Sequence, residues 1–276
     1  MLSLEERRLL YVLARDYVHG DGAIIDAGCF LGGSTIALAG GLAENPRAER
    51  CPPIHTYDLF ALDASYKHSY PGLVDGIEVG ESMRPRFEAL LGPLLARVEV
   101  HEGDICGERW SGDPVEVLFI DICKSWAIND HVVGQFFPAL LPGRGVIVQQ
   151  DLIHEWLPYL TMTMGLFRDS FELIDAVPWC SAVYLCTRAI PAAEIPPSLD
   201  ALPAAEKVAL FDRGSEPFTG EYRAVIECSR AMLLLNLGDP AAAANHLAAI
   251  RREHPGSERV QHVAGEVARY LATQTP

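Results

Sequence analysis

The chain has 276 residues, 37 acidic against 22 basic, giving a formal net charge of −15. Such a balance argues against a nucleic-acid backbone as partner, since displacing counterions from phosphates needs a basic patch and pairs such as Arg251-Arg252 are too small to supply one; acidity of this kind otherwise serves solubility. No run of about 18 apolar residues exists to span a membrane, and the length suits one large domain with a smaller second unit.

The first residues, Met1 to Arg8, place acids where a secretory leader would carry a basic region followed by an apolar one. They read as the start of an amphipathic helix, and a cytoplasmic protein is expected. The apolar run Ile24-Ile25 then leads through Asp26 into a glycine-rich turn, Gly28-Cys29-Phe30-Leu31-Gly32-Gly33, and Ser34-Thr35 open a helix-compatible run of small apolar residues. Gly28 and Gly32 permit a sharp turn and a close approach of backbone to a ligand, so a nucleotide-like group is expected at the carboxyl end of this strand. A second strand, Ile54 to Tyr57, ends on Asp58. A third, Val98 to His101, is followed by Gly103-Asp104-Ile105. A fourth, Val115 to Ile120, ends on Asp121, and a fifth, Gly145 to Gln150, on Asp151. Phe171 to Ile174 and Ala182 to Cys186 follow as closing strands.

Five β-rich runs separated by helix-length segments predict a parallel, doubly wound α/β sheet, in which ligands bind outside the carboxyl ends of the strands. Each acid taken singly is equally a turn former or a helix N-cap, and Asp104 above all fits that description. The segment Leu59 to Met83 exceeds an ordinary strand-to-helix loop, and its Tyr66-Lys67-His68-Ser69-Tyr70-Pro71 is aromatic and polar together. It reads as a lid over the crevice. Trp156, Tyr159, Met162 and Met164 are candidates for an acceptor pocket, with core packing the plainer reading of the two methionines.

A Pro- and Ala-rich stretch, 189–204, reads as a linker between a first domain, 1–188, and a helical region, 205–276. In the latter, Gly238 ends one helix and Asp239-Pro240 begin the next. The Leu237-Gly238-Asp239-Pro240 turn between alanine-rich helices resembles a tetratricopeptide-like hairpin, and the region is a candidate packed extension, dimerisation arm or carrier-protein dock. The seven cysteines are scattered without a Cys-x-x-Cys pair and read as small buried apolar residues rather than a zinc site or disulfide framework.

The Asp-x-Gly-x-x-x-Gly spacing from Asp26 to Gly32 differs from the Gly-x-Gly-x-x-Gly of dinucleotide folds, which disfavours a nicotinamide-dependent oxidoreductase. Together with the ordered acids it resembles motif I and its successors in the class I S-adenosylmethionine (SAM)-dependent methyltransferases, over roughly residues 1 to 190. The resemblance implies a seven-stranded, Rossmann-like sheet with an antiparallel edge. It also implies a SAM site formed by Asp26, Gly28, Phe30, Gly32 and Ser34 at the turn, Asp58 on the ribose hydroxyls, Asp104 by the adenine and Asp121 at the reaction edge.

Within the class, Asp121-Ile122-Cys123-Lys124 resembles the metal-dependent catechol-type O-methyltransferases, where the Asp binds magnesium and the Lys acts as base. Asp151 matches a second metal ligand, but Leu152 stands where an Asn completes that site. The macrocin-type O-methyltransferases, which act on sugar hydroxyls, carry Asp-Gly-Asp-His after strand four; here the second Asp and the His are absent, and Gln150-Asp151 replaces a paired Asp-Asp. Asp121 and Asp151 are therefore the candidate magnesium ligands of a depleted site. Lys124, if its pKa is depressed, and His154 are rival bases for a hydroxyl acceptor. The expectation is an O-methyltransferase of a small hydroxylated metabolite or natural product, a sugar among the options, with a homo-oligomer formed through the C-terminal helices. Two other readings stay open: a SAM-binding regulator or scaffold without methyl transfer, and cyclisation of the SAM aminobutyryl group, which releases methylthioadenosine.

Overall fold

The computed structural model describes residues 1–178 and 180–274. Its frame is seven strands: β1 (Ala23–Ala27), β2 (Ile54–Asp58), β3 (Val98–Glu102), β4 (Val115–Ile120), β5 (Val146–Gln149), β6 (Phe171–Val177) and β7 (Ser181–Cys186). They form one sheet in the order β3-β2-β1-β4-β5-β7-β6. The first five are parallel, and β7 enters antiparallel between β5 and β6. This is the Rossmann-like, doubly wound arrangement anticipated above, antiparallel edge included. The chain winds outward from β1 in one direction through β2 and β3, then returns to place β4 on the other side of β1. The point between β1 and β4 is where the crossovers diverge and leave a crevice at the strand ends.

Ten α-helices are present among the described residues: α1 (Leu4–Val12), α2 (Gly33–Ala43), α3 (Ala64–Ser69), α4 (Arg84–Leu91), α5 (Trp126–Phe136), α6 (Pro158–Leu166), α7 (Ala204–Ser215), α8 (Gly220–Asn236), α9 (Pro240–Glu253) and α10 (Glu258–Gln274). β1 and β4 are buried along their whole length, because helices cover both faces of a parallel sheet. Alternate residues feed two cores. Ile24, Val117, Phe119, Val146 and Val148 pack toward α1 and α2, and Ile25, Leu118, Ile120 and Ile147 pack toward α5 and α6. Glu116, the second residue of β4, is a fully buried acid in a central strand. Its carboxylate accepts hydrogen bonds from the backbone N–H groups of His19, Gly20 and Asp21 at 2.8, 3.0 and 3.2 Å, and so ties down the loop that leads into β1.

The second core does not stop at the sheet. It runs on through Leu210, Phe211, Ala224, Leu233, Leu247, Val263 and Leu271, which belong to α7 through α10. The helical region from 205 to 274 is thus packed onto the face of the sheet that carries α5 and α6. Met162 and Met164 lie in this core, 0 % and 2 % exposed, and are filler rather than pocket lining. The α8–α9 turn follows the local chemistry: Gly238 takes φ 83°, and the Asp239 side chain accepts from the Ala242 N–H ahead of Pro240. No helix of the described residues is long and apolar enough to cross a membrane.

Candidate active site

The turn after β1 is held from beneath. Asp26 is fully buried, and one carboxylate oxygen accepts from the hydroxyls of Ser34 at 3.0 Å and Thr35 at 2.6 Å. Burial pushes its carboxyl up to about 7 against these two hydrogen bonds. Asp26 lines no cavity described below, so its part is to clamp the end of β1 to the start of α2. Gly28 sits at φ 97°, and a Cβ there would lie 2.7 Å from the Asp121 carbonyl carbon. This glycine lets β1 and β4 approach closely at the crevice. Gly32, at φ 88°, is different from the expectation: a Cβ would meet the side chains of Leu91 and Phe87 on α4 rather than open ligand space.

Around the turn lies a cavity of about 430 Å3, lined by Gly28 and Phe30 after β1, Asp58 and Leu59 after β2, Gly103, Asp104 and Ile105 after β3, and Asp121, Ile122 and Lys124 after β4, with Tyr66, Met83 and Ile128 among the apolar walls. Its volume falls in the ordinary range for a small-ligand site, about 300–1,000 Å3. A smaller cavity of about 70 Å3 shares Gly28, Phe30, Tyr66 and Asp121 with it and adds Gly33, Ser34 and Tyr70. A larger one, about 640 Å3, lies between α5 and the 192–200 segment, away from all the strand-end acids.

Each acid has a definite seat. Both oxygens of Asp58 are fixed by backbone donors, Oδ2 by the Phe30 N–H and Oδ1 by the Phe60 N–H, each at 2.8 Å. A carboxylate offers about four lone-pair sites, so acceptor capacity remains for ligand hydroxyls. Burial raises the Asp58 carboxyl, with these backbone hydrogen bonds opposing the shift. Asp104 caps the short turn that follows β3, accepting from the Cys106 N–H at 2.9 Å, while still lining the cavity. Phe30, Phe60 and Asp151 are the non-glycine residues with positive φ among those described, at 50°, 52° and 63°. All three sit just beyond strand ends, at β1, β2 and β5. Backbone strain of this kind concentrates where a site is held in shape. The ring of Phe30 stacks on Tyr66 at 4.9 Å, so the Leu59–Met83 segment closes onto the glycine turn. That segment has a neck and a core of its own: Ala61 bridges Ser82, and Phe60, Leu62, Val74 and Met83 are buried with Phe87.

Lys124 departs most from expectation. Its Nζ donates to Asp121 Oδ1 at 2.6 Å and also to Asp151 Oδ2. Burial pulls the amine down, but the two carboxylates outweigh it and hold the ammonium well above its ordinary pKa. So placed, Lys124 is held as a cation between the two carboxylates, which disfavours it as a base. Burial pushes Asp121 up to about 6, with Lys124 pulling it back and Asp151 adding to the rise. The rival base, His154, lies outside both cavities at the turn, with Nδ1 3.5 Å from Glu155.

The same geometry bears on the candidate magnesium ligands Asp121 and Asp151. The space between Asp121 and Asp151 holds the Lys124 ammonium, and the buried Leu152 adds no side-chain oxygen beside them. Magnesium wants an octahedral oxygen shell, and with the ammonium seated between its two carboxylates the site as it stands does not present one. A nucleoside-bearing cofactor, by contrast, suits a cavity with one apolar wall and an acid at each successive strand end. Ile128, which lines the cavity, was not singled out from the sequence, whereas Ile105 came with the Gly103-Asp104-Ile105 turn. Ile128 lies within α5 with no motif of its own, so nothing local marks it.

No protein-family model matches the chain, and no curated protein matches it in sequence. Among solved structures it is similar to the cofactor-bound form of Rv0187 from MTB, at 20 % identity and a TM-score of 0.43 over 68 % of this chain and 82 % of that one. It is also similar to the pyocyanin biosynthetic protein PhzM, at 17 % identity and 0.39 over 66 % and 55 %. A third is CalO1, a methyltransferase in calicheamicin biosynthesis, in its SAH-bound form, at 14 % and 0.34 over 66 % and 54 %. The chain spans about half the length of the latter two. Likeness at this level carries no inference about activity, and the fold stands on the strand order given above.

Proposed function

We propose that this protein is a SAM-dependent methyltransferase whose acceptor is a hydroxyl of a small metabolite. The observation that carries the reading is the 430 Å3 cavity at the β1/β4 switch point, walled by the glycine turn and by Asp58, Asp104 and Asp121 in strand order. In this reading the Gly28–Ser34 turn receives the amino-acid end of the cofactor, Asp58 the ribose hydroxyls and Asp104 the edge of the adenine, with Ile105 and Ile128 against its face. SAM supplies an activated methyl on a sulfonium, so the chain's work is to align the acceptor and remove its proton.

Asp121 is the group suited to take that proton. Its carboxyl, pushed up to about 6, is ionised at neutral pH yet more basic than an ordinary aspartate. Lys124 holds a positive charge beside the oxygen that becomes anionic as the proton leaves, the role a metal plays elsewhere. The methyl passes to the acceptor oxygen, the hydroxyl proton to Asp121, and S-adenosylhomocysteine remains.

Calorimetric titration with SAM tests the reading. Asp58→Ala is expected to weaken SAM binding about tenfold or more, since a charged hydrogen-bond acceptor contributes about 1.5–3 kcal/mol. Exchanging MgCl2 for EDTA is expected to leave the affinity unchanged. Unaltered affinity in Asp58→Ala, or no SAM binding by the wild type, sinks the assignment.

A further inference from the structure

β3 is an edge strand, and its pairing with β2 sets His55 opposite Glu99 and Tyr57 opposite His101. Because side chains alternate, His55, Tyr57, Glu99 and His101 all stand on one face of the sheet. There His55 Nδ1 and His101 Nε2 lie 3.2 Å apart. The Glu99 carboxylate sits astride the pair, Oε2 at 3.7 Å from the first nitrogen and Oε1 at 3.6 Å from the second. Both rings are held: His101 stacks on Tyr57 at 4.3 Å, and the Trp110 ring meets His55 edge-on at 5.0 Å. The imidazoles are mostly buried, 17 % and 21 % exposed, while Glu99 is 55 % exposed and opens the cluster to solvent.

We infer that His55, Glu99 and His101 form a binding site for a divalent transition-metal ion of the zinc type, with water in a fourth position, that cross-links the edge strand β3 to β2. Two imidazoles and one carboxylate suit zinc or its late first-row neighbours and not magnesium or calcium, which prefer oxygen. Zinc bonds of about 2.0–2.1 Å in a tetrahedron place ligand atoms about 3.3 Å apart. The two nitrogens, 3.2 Å apart, fall close to that value, and each carboxylate oxygen lies a few tenths beyond it from a different ring, so one oxygen has to swing between the rings, a movement within reach of an exposed glutamate. The cost in protons is small as well. Two neutral rings sharing one N–H···N hydrogen bond need only a change of tautomer in one of them for both facing nitrogens to become ligands. The site is remote in role from the strand-end crevice, and the inference does not rest on the SAM assignment.

The test uses the full chain with CoCl2 as a visible probe and ZnCl2 as competitor. One Co2+ per chain is expected, with the intense visible absorption of a four-coordinate site, displaced by stoichiometric Zn2+ and untouched by excess MgCl2. His101→Phe keeps the ring stack on Tyr57, and Glu99→Gln keeps the shape of an exposed side chain. Each is expected to weaken binding by about two orders of magnitude or more, as loss of a ligand costs no less than loss of its supporting partner. Melting in EDTA should coincide for wild type and Glu99→Gln, and added ZnCl2 should raise the wild-type midpoint alone. Tight binding that survives both substitutions places the metal elsewhere, and a folded wild type that binds neither ion removes the site; either result overturns the inference.

Discussion

Asp26 and Lys124 show how the surroundings of an ionisable group shift its titration. Both are ionisable groups near the glycine turn; burial drives Asp26 toward its neutral form, whereas two carboxylates hold Lys124 more firmly in the charged form an ordinary lysine already has. The carboxyl of Asp26, raised to about 7 in the fold, binds its proton more tightly than in the unfolded chain, where an aspartate titrates near 4. By linkage, stability is undiminished below pH 4, falls as pH rises from about 4 to 7, and is then level. A shift of this size corresponds to about 4 kcal/mol. Asp26→Asn removes the titration, so its melting temperature relative to wild type is expected to climb between pH 4 and 8; a constant difference would rule out the buried carboxyl as the cause. Lys124→Met bears on the chemistry. With a competent acceptor, the wild-type rate is expected to rise with pH through about 6 as Asp121 ionises. In the variant the rate falls about 100-fold, and the acidic limb moves to higher pH because burial and Asp151 remain while the compensating cation is gone. A limb that stays in place would show that Asp121 is not the titrating base.

At the scale of elements, strands and helices form where the chain's periodicities place them. β2 and β4 occupy the residues expected from their apolar runs, and the acids that end them stand at the sheet's carboxyl edge, because a run and the residue after it are covalently local. The packing between elements was not readable in the same way. Gly165 of α6 and Gly214 of α7 lie against each other's helix: a Cβ on Gly214 would fall 1.9 Å from the Thr161 carbonyl oxygen, and one on Gly165 1.8 Å from that of Leu210. The obstacle is backbone, which cannot rotate aside. Gly214→Ala is therefore expected to destabilise the protein by about 3 kcal/mol in urea denaturation despite the better helix propensity of alanine, worth about 1 kcal/mol. A neutral or stabilising result would mean that the two helices do not cross as described.

Over the whole molecule, the Pro- and Ala-rich 189–204 segment marks a change of composition but not a break in the core, since the apolar faces of α7 through α10 and of the sheet are continuous. Composition reports local chain character; burial depends on what the faces meet. The same division runs through the candidate sites. The sequence by itself determined the strand series, the glycine turn and the acids at the strand ends, because each is a property of adjacent residues and of short-range backbone preference. Only the tertiary structure decided which charges meet. Lys124 is locked between two carboxylates because β5 delivers Asp151, 27 positions away, to the same point, and His55 finds His101, 46 positions on, through the register of two paired strands. Protonation and metal affinity follow from distances of a few ångströms between groups far apart in the chain, and those distances exist only once the sheet has closed.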